Sequence, residues 1–296
     1  MSDENKKTWE RFVRAWDDGD LQTLADLSTP DVVDRQAMPG ADPGIEGMKQ
    51  LNQMLKVAFP DRSTDVHTTL AEGDFVAGLH TIHGTHTGEF MGMPPTGKSF
   101  AGTAIHIVRF ADGKIAEHWG MPDQVGMMTQ LGLMPMPPGT ENWRPPPPSP
   151  QVKAAKTGDA KANRDAMNAM IPAIRSGKVD EVIAHIKDDV VDHAAMPGQG
   201  PGKEGVRWRF EQLFSGMTDP EFTVNTSVAD GPYLSQAYTF TATHSGPMMG
   251  MPPTNKSFRI NAIDFVLFED GMMREHWGLI DIPSMMIQLG LMPPPG

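Results

Sequence analysis

Cysteine is absent from the 296 residues, which excludes a disulfide framework, a thiol nucleophile and a thiolate metal site. No stretch approaches the roughly 18 consecutive apolar residues that a membrane-crossing helix needs. Clusters of Lys and Arg are also missing, and the net charge is −12. That balance repels phosphate backbones and anionic lipid, so neither nucleic acid nor a membrane is expected as a partner. The opening Met1-Ser-Asp-Glu-Asn-Lys-Lys7 is polar with no apolar core behind it. No signal peptide is expected from it, and a cytoplasmic location is the default. Hydrophobic residues make up 39% and charged residues 21%, enough apolar material for a globular core.

What the chain does have, it has twice. His118-Trp119-Gly120, Asp123, Met127-Met128 and Gln130-Leu-Gly-Leu-Met-Pro135 return as His276-Trp277-Gly278, Asp281, Met285-Met286 and Gln288-Leu-Gly-Leu-Met-Pro293. Twelve of the 18 positions from His118 to Pro135 are identical in the second copy, at a constant offset of 158 (118 to 276, 31 to 189). The same offset pairs Asp31-Val-Val-Asp34 with Asp189-Val-Val-Asp192, and Met91-Gly-Met-Pro-Pro-Thr96 with Met249-Gly-Met-Pro-Pro-Thr254. The pattern predicts a tandem duplication of one domain of about 135–140 residues, a size that sustains its own core. The boundaries read as residues 1–136 and 157–296. Between them lies a Pro-rich linker, 137–156, expected to be extended and semi-rigid. A duplicated module of this kind is expected to form an internal pseudo-dimer.

Trp9, Phe12, Val13 and Trp16 have the spacing of an amphipathic helix ending at Gly19, and Leu21 to Leu27 reads as a second, short helix. Asp31-Val-Val-Asp34 reads as the start of a loop. Glu46 to Phe59 supplies a third helix, closed by Pro60. From Ser63 the period becomes strand-like: Val66–Leu70, Phe75–His86, Phe100–Phe110, an Ala-Asp-Gly turn at 111–113, and Lys114–Trp119. A short Met-rich helix follows near 123–131. In the second copy, Pro172 falls inside the first helix, where a kink is expected. The fold class is therefore α+β: two tandem cone-shaped domains, each with three helices packed on a strongly curved antiparallel sheet.

Two segments carry a family likeness: Gly84-Thr-His-Thr-Gly-Glu-Phe-Met-Gly-Met-Pro-Pro-Thr-Gly97 and Ile107-Val-Arg-Phe-Ala-Asp-Gly-Lys-Ile-Ala-Glu-His-Trp-Gly120. The chain resembles the SnoaL-like polyketide cyclases, or ester cyclases, of the nuclear-transport-factor-2-like superfamily, over nearly all of both repeats. The resemblance implies a cofactor-free intramolecular aldol closure. In it a buried carboxylate takes a proton from carbon next to a carbonyl, and the pocket stabilises the enolate. It also implies a hydrophobic, oxygenated small molecule as substrate or ligand. Apolar burial would raise the carboxylate's pKa towards neutrality, as general-base work requires. The position after Trp119 and Trp277 is glycine in both copies, and the nearest aspartates are Asp123 and Asp281. A non-catalytic small-molecule binding protein is the alternative, because fold alone does not fix function.

Asp123, Asp281, His118 and His276 are the catalytic candidates. Each aspartate also stands between a strand and a helix, where an N-terminal cap is the structural reading. His118 and Trp119 alternate along a strand and must face opposite sides, so one of them faces the cone. The pocket candidates are Asp34, His86, Met91, His106 and Trp119 in the first copy, and Asp192, His193, His244, Met249, Asp264 and Trp277 in the second. Among the paired positions, His106 corresponds to Asp264 and Arg35 to His193. The second set is richer in carboxylates, which favours the second pocket as the reactive one. His80, His83 and His86 suggest a metal cluster, but strand alternation turns His83 away, and the second copy has Tyr238, Thr241 and His244 there. No metal and no cofactor are expected. Methionine, 23 in all, either fills the cores or lines a pocket lip between Gly88 and Gly97.

Overall fold

The computed structural model describes residues 2–37, 40–135, 147–153, 157–248 and 250–292. The chain divides into two compact units, Met1–Pro135 and Met136–Gly296. In the first, α1 (Ser2–Asp18) and α2 (Leu21–Leu27) lead into β1 (Ser28–Asp34), and α3 (Gly44–Ala58) precedes the meander β2 (Ser63–Glu72), β3 (Phe75–Thr85), β4 (Ser99–Ala111) and β5 (Lys114–Pro122). The short α4 (Gln124–Gln130) follows. The second unit repeats the order with α5 (Ala160–Arg175), α6 (Val179–Ile183), β6 (Ile186–Asp192), α7 (Gly202–Gly216), β7 (Met217–Asp230), β8 (Tyr233–His244), β9 (Ser257–Glu269), β10 (Met272–Ile280) and α8 (Ile282–Leu289).

Each sheet has five strands, ordered β1-β5-β4-β3-β2 and β6-β10-β9-β8-β7. Asp31-Val-Val-Asp34 is thus strand rather than loop, and it pairs in parallel with β5. The sheets are mixed, which corrects the purely antiparallel expectation. Hairpin-length connections do make the meander antiparallel, but β1 reaches β5 only after α3 and three further strands, so its direction is free. Pro30 is tolerated there because β1 is an edge strand. Register shifts between Val66 and Thr68, and between Arg109 and Phe110, mark bulges that bend the strands.

The apolar stripe of α1 buries Trp9, Phe12 and Val13 against Leu24, Met48, Val76, Val108 and Ile115. Burying a side chain of that size contributes about 1.5–3 kcal/mol. At the other end of the cone Phe59, Phe90, Phe100 and Leu131 form a second cluster, with Met93, Met127 and Met128 packed on it. Helix α5 runs on past Pro172 to Arg175.

Candidate active site

Register decides which polar groups meet. In β1 and β5, Asp34 and His118 are direct parallel partners. In β4 and β5, His106 pairs with Gly120, two residues beyond His118 on the same face. The result is a chain of hydrogen bonds on the inner face. Nδ1 of His118 lies 3.2 Å from Oδ1 of Asp34, and Nε2 of His118 lies 2.9 Å from Nδ1 of His106. A carboxylate only accepts, so His118 donates from Nδ1, and in its neutral form it accepts through Nε2. His106 then donates from Nδ1, and its Nε2 keeps a lone pair. Burial raises the cost of ionising Asp34, but the charge that His118 carries when protonated, together with its hydrogen bond, outweighs that and holds the carboxyl below its usual range. Burial pushes His106 well below the ordinary histidine value, with the neighbouring His118 and His80 adding to the shift.

Gly120 makes this packing possible. A Cβ there would lie 2.4 Å from Cε1 and Nε2 of His118 and 2.6 Å from Nδ1 of His106. The glycine after each His-Trp is therefore the space into which the histidine ring lies down.

His106 and His118 share a cavity of about 50 Å³ with Trp9, Met48, Arg62 and His80. Its one lining cation, Arg62, is held by Asp17 at 3.0 Å, and Thr64 also donates to that carboxylate. His80 is fully buried with both ring nitrogens unpartnered, as is Nε1 of Trp9. Burial, with smaller contributions from His67 and Arg62, pushes His80 down to about 3. Asp34 at the other end of the chain lines a more open groove of about 490 Å³ between β1 and α3.

The second unit builds the same chain with a different end. Nδ1 of His276 lies 2.9 Å from Oδ1 of Asp192, and its Nε2 lies 3.4 Å from Oδ1 of Asp264. Both ring nitrogens face carboxylates. Burial disfavours the imidazolium, but the hydrogen bonds and charges of Asp192 and Asp264 override it and raise His276 to about 9. Asp192 is saturated further by Arg209 at 3.1 Å and Gln199 at 2.7 Å. Its carboxyl is held far below the usual range: burial alone would raise it, but Arg209 and His276 dominate. Tyr238 donates to Asp264 at 3.3 Å. Gly278 leaves room as Gly120 does: a Cβ would come within 2.8 Å of Cε1 of His276.

Other predicted site residues lie elsewhere. Asp123 caps α4 by accepting from the Gly126 N–H at 2.8 Å, and Asp281 caps α8 by accepting from Ser284 at 3.1 Å. Burial raises the Asp123 carboxyl, opposed by the Gly126 hydrogen bond. Neither aspartate joins the histidine chain, so the expected pairing with His118 and His276 is not what the geometry builds. His86 and His244 tie the base of the following hairpin, where Nδ1 of each accepts from the N–H of Thr96 or Thr254. Met91 is exposed at the tip with φ +51°, and Met249 lies outside the described residues.

Trp119, Trp277 and His193 are on the outer face of their sheets, which corrects their assignment to the pocket. The guanidinium of Arg35 sits 5.8 Å over the Trp119 ring. His193 stacks on Trp277 at 4.4 Å and lies 2.6 Å from Glu275. That face is covered by a strap, Pro147–Val152. Trp277 donates to the Pro148 carbonyl, and buried Glu275 accepts from the N–H groups of Gln151 and Val152. The described part of the linker is thus tied to the second unit rather than free.

Sequence reasoning missed Trp9, His80, Arg209 and Gln199. In sequence His80 shows only as part of the metal-like trio with His83, which points outward to Asp65, and His86.

Fold and site together define a duplicated α+β cone with a buried chain of histidines and carboxylates hydrogen-bonded on its inner face. The chain belongs to the SnoaL-like polyketide cyclase family, whose profile matches residues 6–131 and again 164–289. Among its relatives, aklanonic acid methyl ester cyclase of Streptomyces sp. (strain C5) is 33% identical over 50% of this chain and 93% of its own length. Nogalonic acid methyl ester cyclase of Streptomyces nogalater is 31% identical over 45% of this chain and its whole length. Among solved structures, IdmH from Streptomyces antibioticus is 38% identical, covering 43% of this chain and 98% of its own, with a TM-score of 0.39. No described helix is long and apolar enough to cross a membrane.

Proposed function

We propose that the first repeat is a cofactor-free cyclase site in which Nε2 of His106 is the base. The observation that carries this reading is the hydrogen-bonded chain Asp34–His118–His106, which ends at His106 on the wall of a partly open cavity. A carbon next to a carbonyl gives its proton to Nε2 of His106, and the Nδ1 proton of His106 passes to Nε2 of His118. Positive charge therefore settles on His118 beside the Asp34 carboxylate instead of on the more deeply desolvated His106. The enolate carbon attacks a second carbonyl of the same molecule. The C–C bond forms, the attacked oxygen becomes an alkoxide, and the chain returns the proton to it. The substrate class is a hydrophobic polyketide-like ester, in keeping with the relatives' names.

The second repeat supports this assignment by contrast. With a carboxylate at each nitrogen, His276 is held as an imidazolium and offers no lone pair. We therefore place the reaction in the first repeat, against the expectation from carboxylate number. The test is turnover of aklanonic and nogalonic acid methyl esters by the wild type and by His106→Asn. Loss of a catalytic base costs on the order of 10²–10⁴-fold. Unchanged turnover in the variant would remove His106 as the base, and unaltered recovery of both esters from the wild type would favour a binding protein.

A further inference from the structure

Trp9 and His80 are the unexplained polar groups of the first repeat. The indole Nε1 and both imidazole nitrogens are buried without a partner, and both rings line the cavity. Leaving a buried donor unmet is costly, so such groups call for an occupant. The two rings also converge. A Cβ built on Gly78 would lie 2.7 Å from Nε2 of His80 and 2.9 Å from Nε1 of Trp9. The two rings therefore converge over the same glycine, on the strand that carries His80. The His106 ring is next to them, 5.3 Å from His80 and 5.5 Å from Trp9 between centroids.

We propose that Nε1–H of Trp9 and the ring of His80 form a seat for the carbonyl oxygen of the ligand, the oxygen that takes up charge as the adjacent carbon loses its proton. The assignment rests on the reading of His106 as the base, because an oxygen and its α-carbon are two bonds apart and need neighbouring partners. An indole N–H can only donate, and His80 is kept neutral by its burial, so it has one N–H to give. Two preoriented, buried neutral donors are what a developing enolate needs, since they require no reorganisation as charge appears. The second repeat lacks the pair: Met167 and Tyr238 stand at those positions, and the Tyr238 hydroxyl is engaged by Asp264. The seat belongs to the first repeat alone.

A cavity of about 50 Å³ admits only a few heavy atoms, so acetone is the probe, with isobutene, which has CH₂ in place of oxygen, as its control. The full chain is titrated with each while the indole N–H resonances are followed, and Trp9→Phe identifies the Trp9 signal. Acetone is expected to move that signal downfield, and isobutene to leave it in place. Trp9→Phe and His80→Phe should each weaken acetone binding about 5–100-fold without weakening isobutene. An equal response to both probes would mean that the donors hold only internal water, and would overturn the seat. So would unchanged acetone affinity in both variants. Exchange of acetone hydrogens for deuterium reads the base separately: oxygen-selective binding without exchange would leave the seat standing and remove His106.

Discussion

Nε2 of His118 and Nδ1 of His106 lie 2.9 Å apart, and this contact separates the two halves of the molecule. At the same place the second repeat sets a carboxylate, Asp264, against Nε2 of His276. A neutral ring facing a neutral ring can pass a proton along. A ring held between two carboxylates keeps both of its protons.

The two units should respond to pH in opposite directions. In the first, His80 and His106 have depressed values, so the unfolded chain binds more protons than the folded one below pH 6.5. Stability is then lost as pH falls below that value. Asp34, also depressed, adds loss in the same direction at lower pH. In the second unit, His276 is raised from 6.5 to about 9. Its contribution is full below 6.5 and is lost as pH rises to about 9, on the order of 3 kcal/mol. Urea unfolding followed by signals from each unit at pH 5, 6.5 and 9.5 checks this. Acid should weaken the first unit and alkali the second, and His276→Asn should flatten the alkaline limb.

Asp123 and Asp281 should behave as caps. Asparagine caps a helix about as well as aspartate, whereas alanine costs about 0.5–2 kcal/mol. Asp123→Asn should keep both melting temperature and turnover, and Asp123→Ala should lower the melting temperature with turnover kept under folding conditions. Thermal melts and ester turnover on both variants decide it; loss of turnover in a stable Asp123→Asn would return that carboxylate to the mechanism.

Much of the fold could be read from residue order. The stripe Trp9, Phe12, Val13, Trp16, the Ala-Asp-Gly turn and the strand-to-helix aspartates are local signals, and local periodicity carries them. Pairing of β1 with β5 is not local. Nothing in Asp31-Val-Val-Asp34 says that its partner comes some 80 residues later, and with that pairing went the one contact that joins Asp34 to His118. Trp119 alternates with His118 along the strand, but alternation fixes only that the two faces differ, not which one lines the cone. His80 was hidden for another reason. A buried histidine with unpartnered nitrogens has no sequence signature, because its state depends on Gly78 and Trp9, one on its own strand and one on a distant helix.

Gly120→Ala should damage the chain directly, since the new methyl would lie 2.4 Å from the His118 ring and 2.6 Å from Nδ1 of His106, so the two rings would have to part. Overpacking of this kind costs typically 1–3 kcal/mol. Turnover should fall by more than the loss of folded protein explains, because the His118–His106 contact is what the methyl displaces. Gly278→Ala meets side-chain ends at 2.8–3.0 Å and should lower stability with little effect on turnover.

Glu275 holds the strap. Glu275→Ala removes the acceptor for the N–H groups of Gln151 and Val152 and the partner of His193. Unpaired buried donors cost about 1–3 kcal/mol each, which is enough to release a segment this short. Cleavage between Pro147 and Lys153 under limited proteolysis should accelerate, and Trp277 emission should shift to the red as its indole loses the Pro148 carbonyl. Turnover should persist, because the inner-face chain of the first repeat does not include the strap.

The sharpest prediction exchanges the two residues that differ at the end of the chain. His106→Asp places a carboxylate against Nε2 of His118, which then holds a second proton as His276 does; the lone pair disappears and turnover should fall by about 10²–10⁴-fold. Asp264→His removes one of the two carboxylates that keep His276 charged. Its raised value should drop towards the ordinary range, read by the imidazole resonances of His276 against pH, and the alkaline loss of stability should move with it. Whether the second repeat then gains activity tests a separate point. It still lacks the indole and imidazole donors of Trp9 and His80, having Met167 and Tyr238 there, so a restored base alone should give little turnover. Substantial turnover from Asp264→His, measured in a His106→Asp background, would show that the base suffices and that the oxygen seat contributes little.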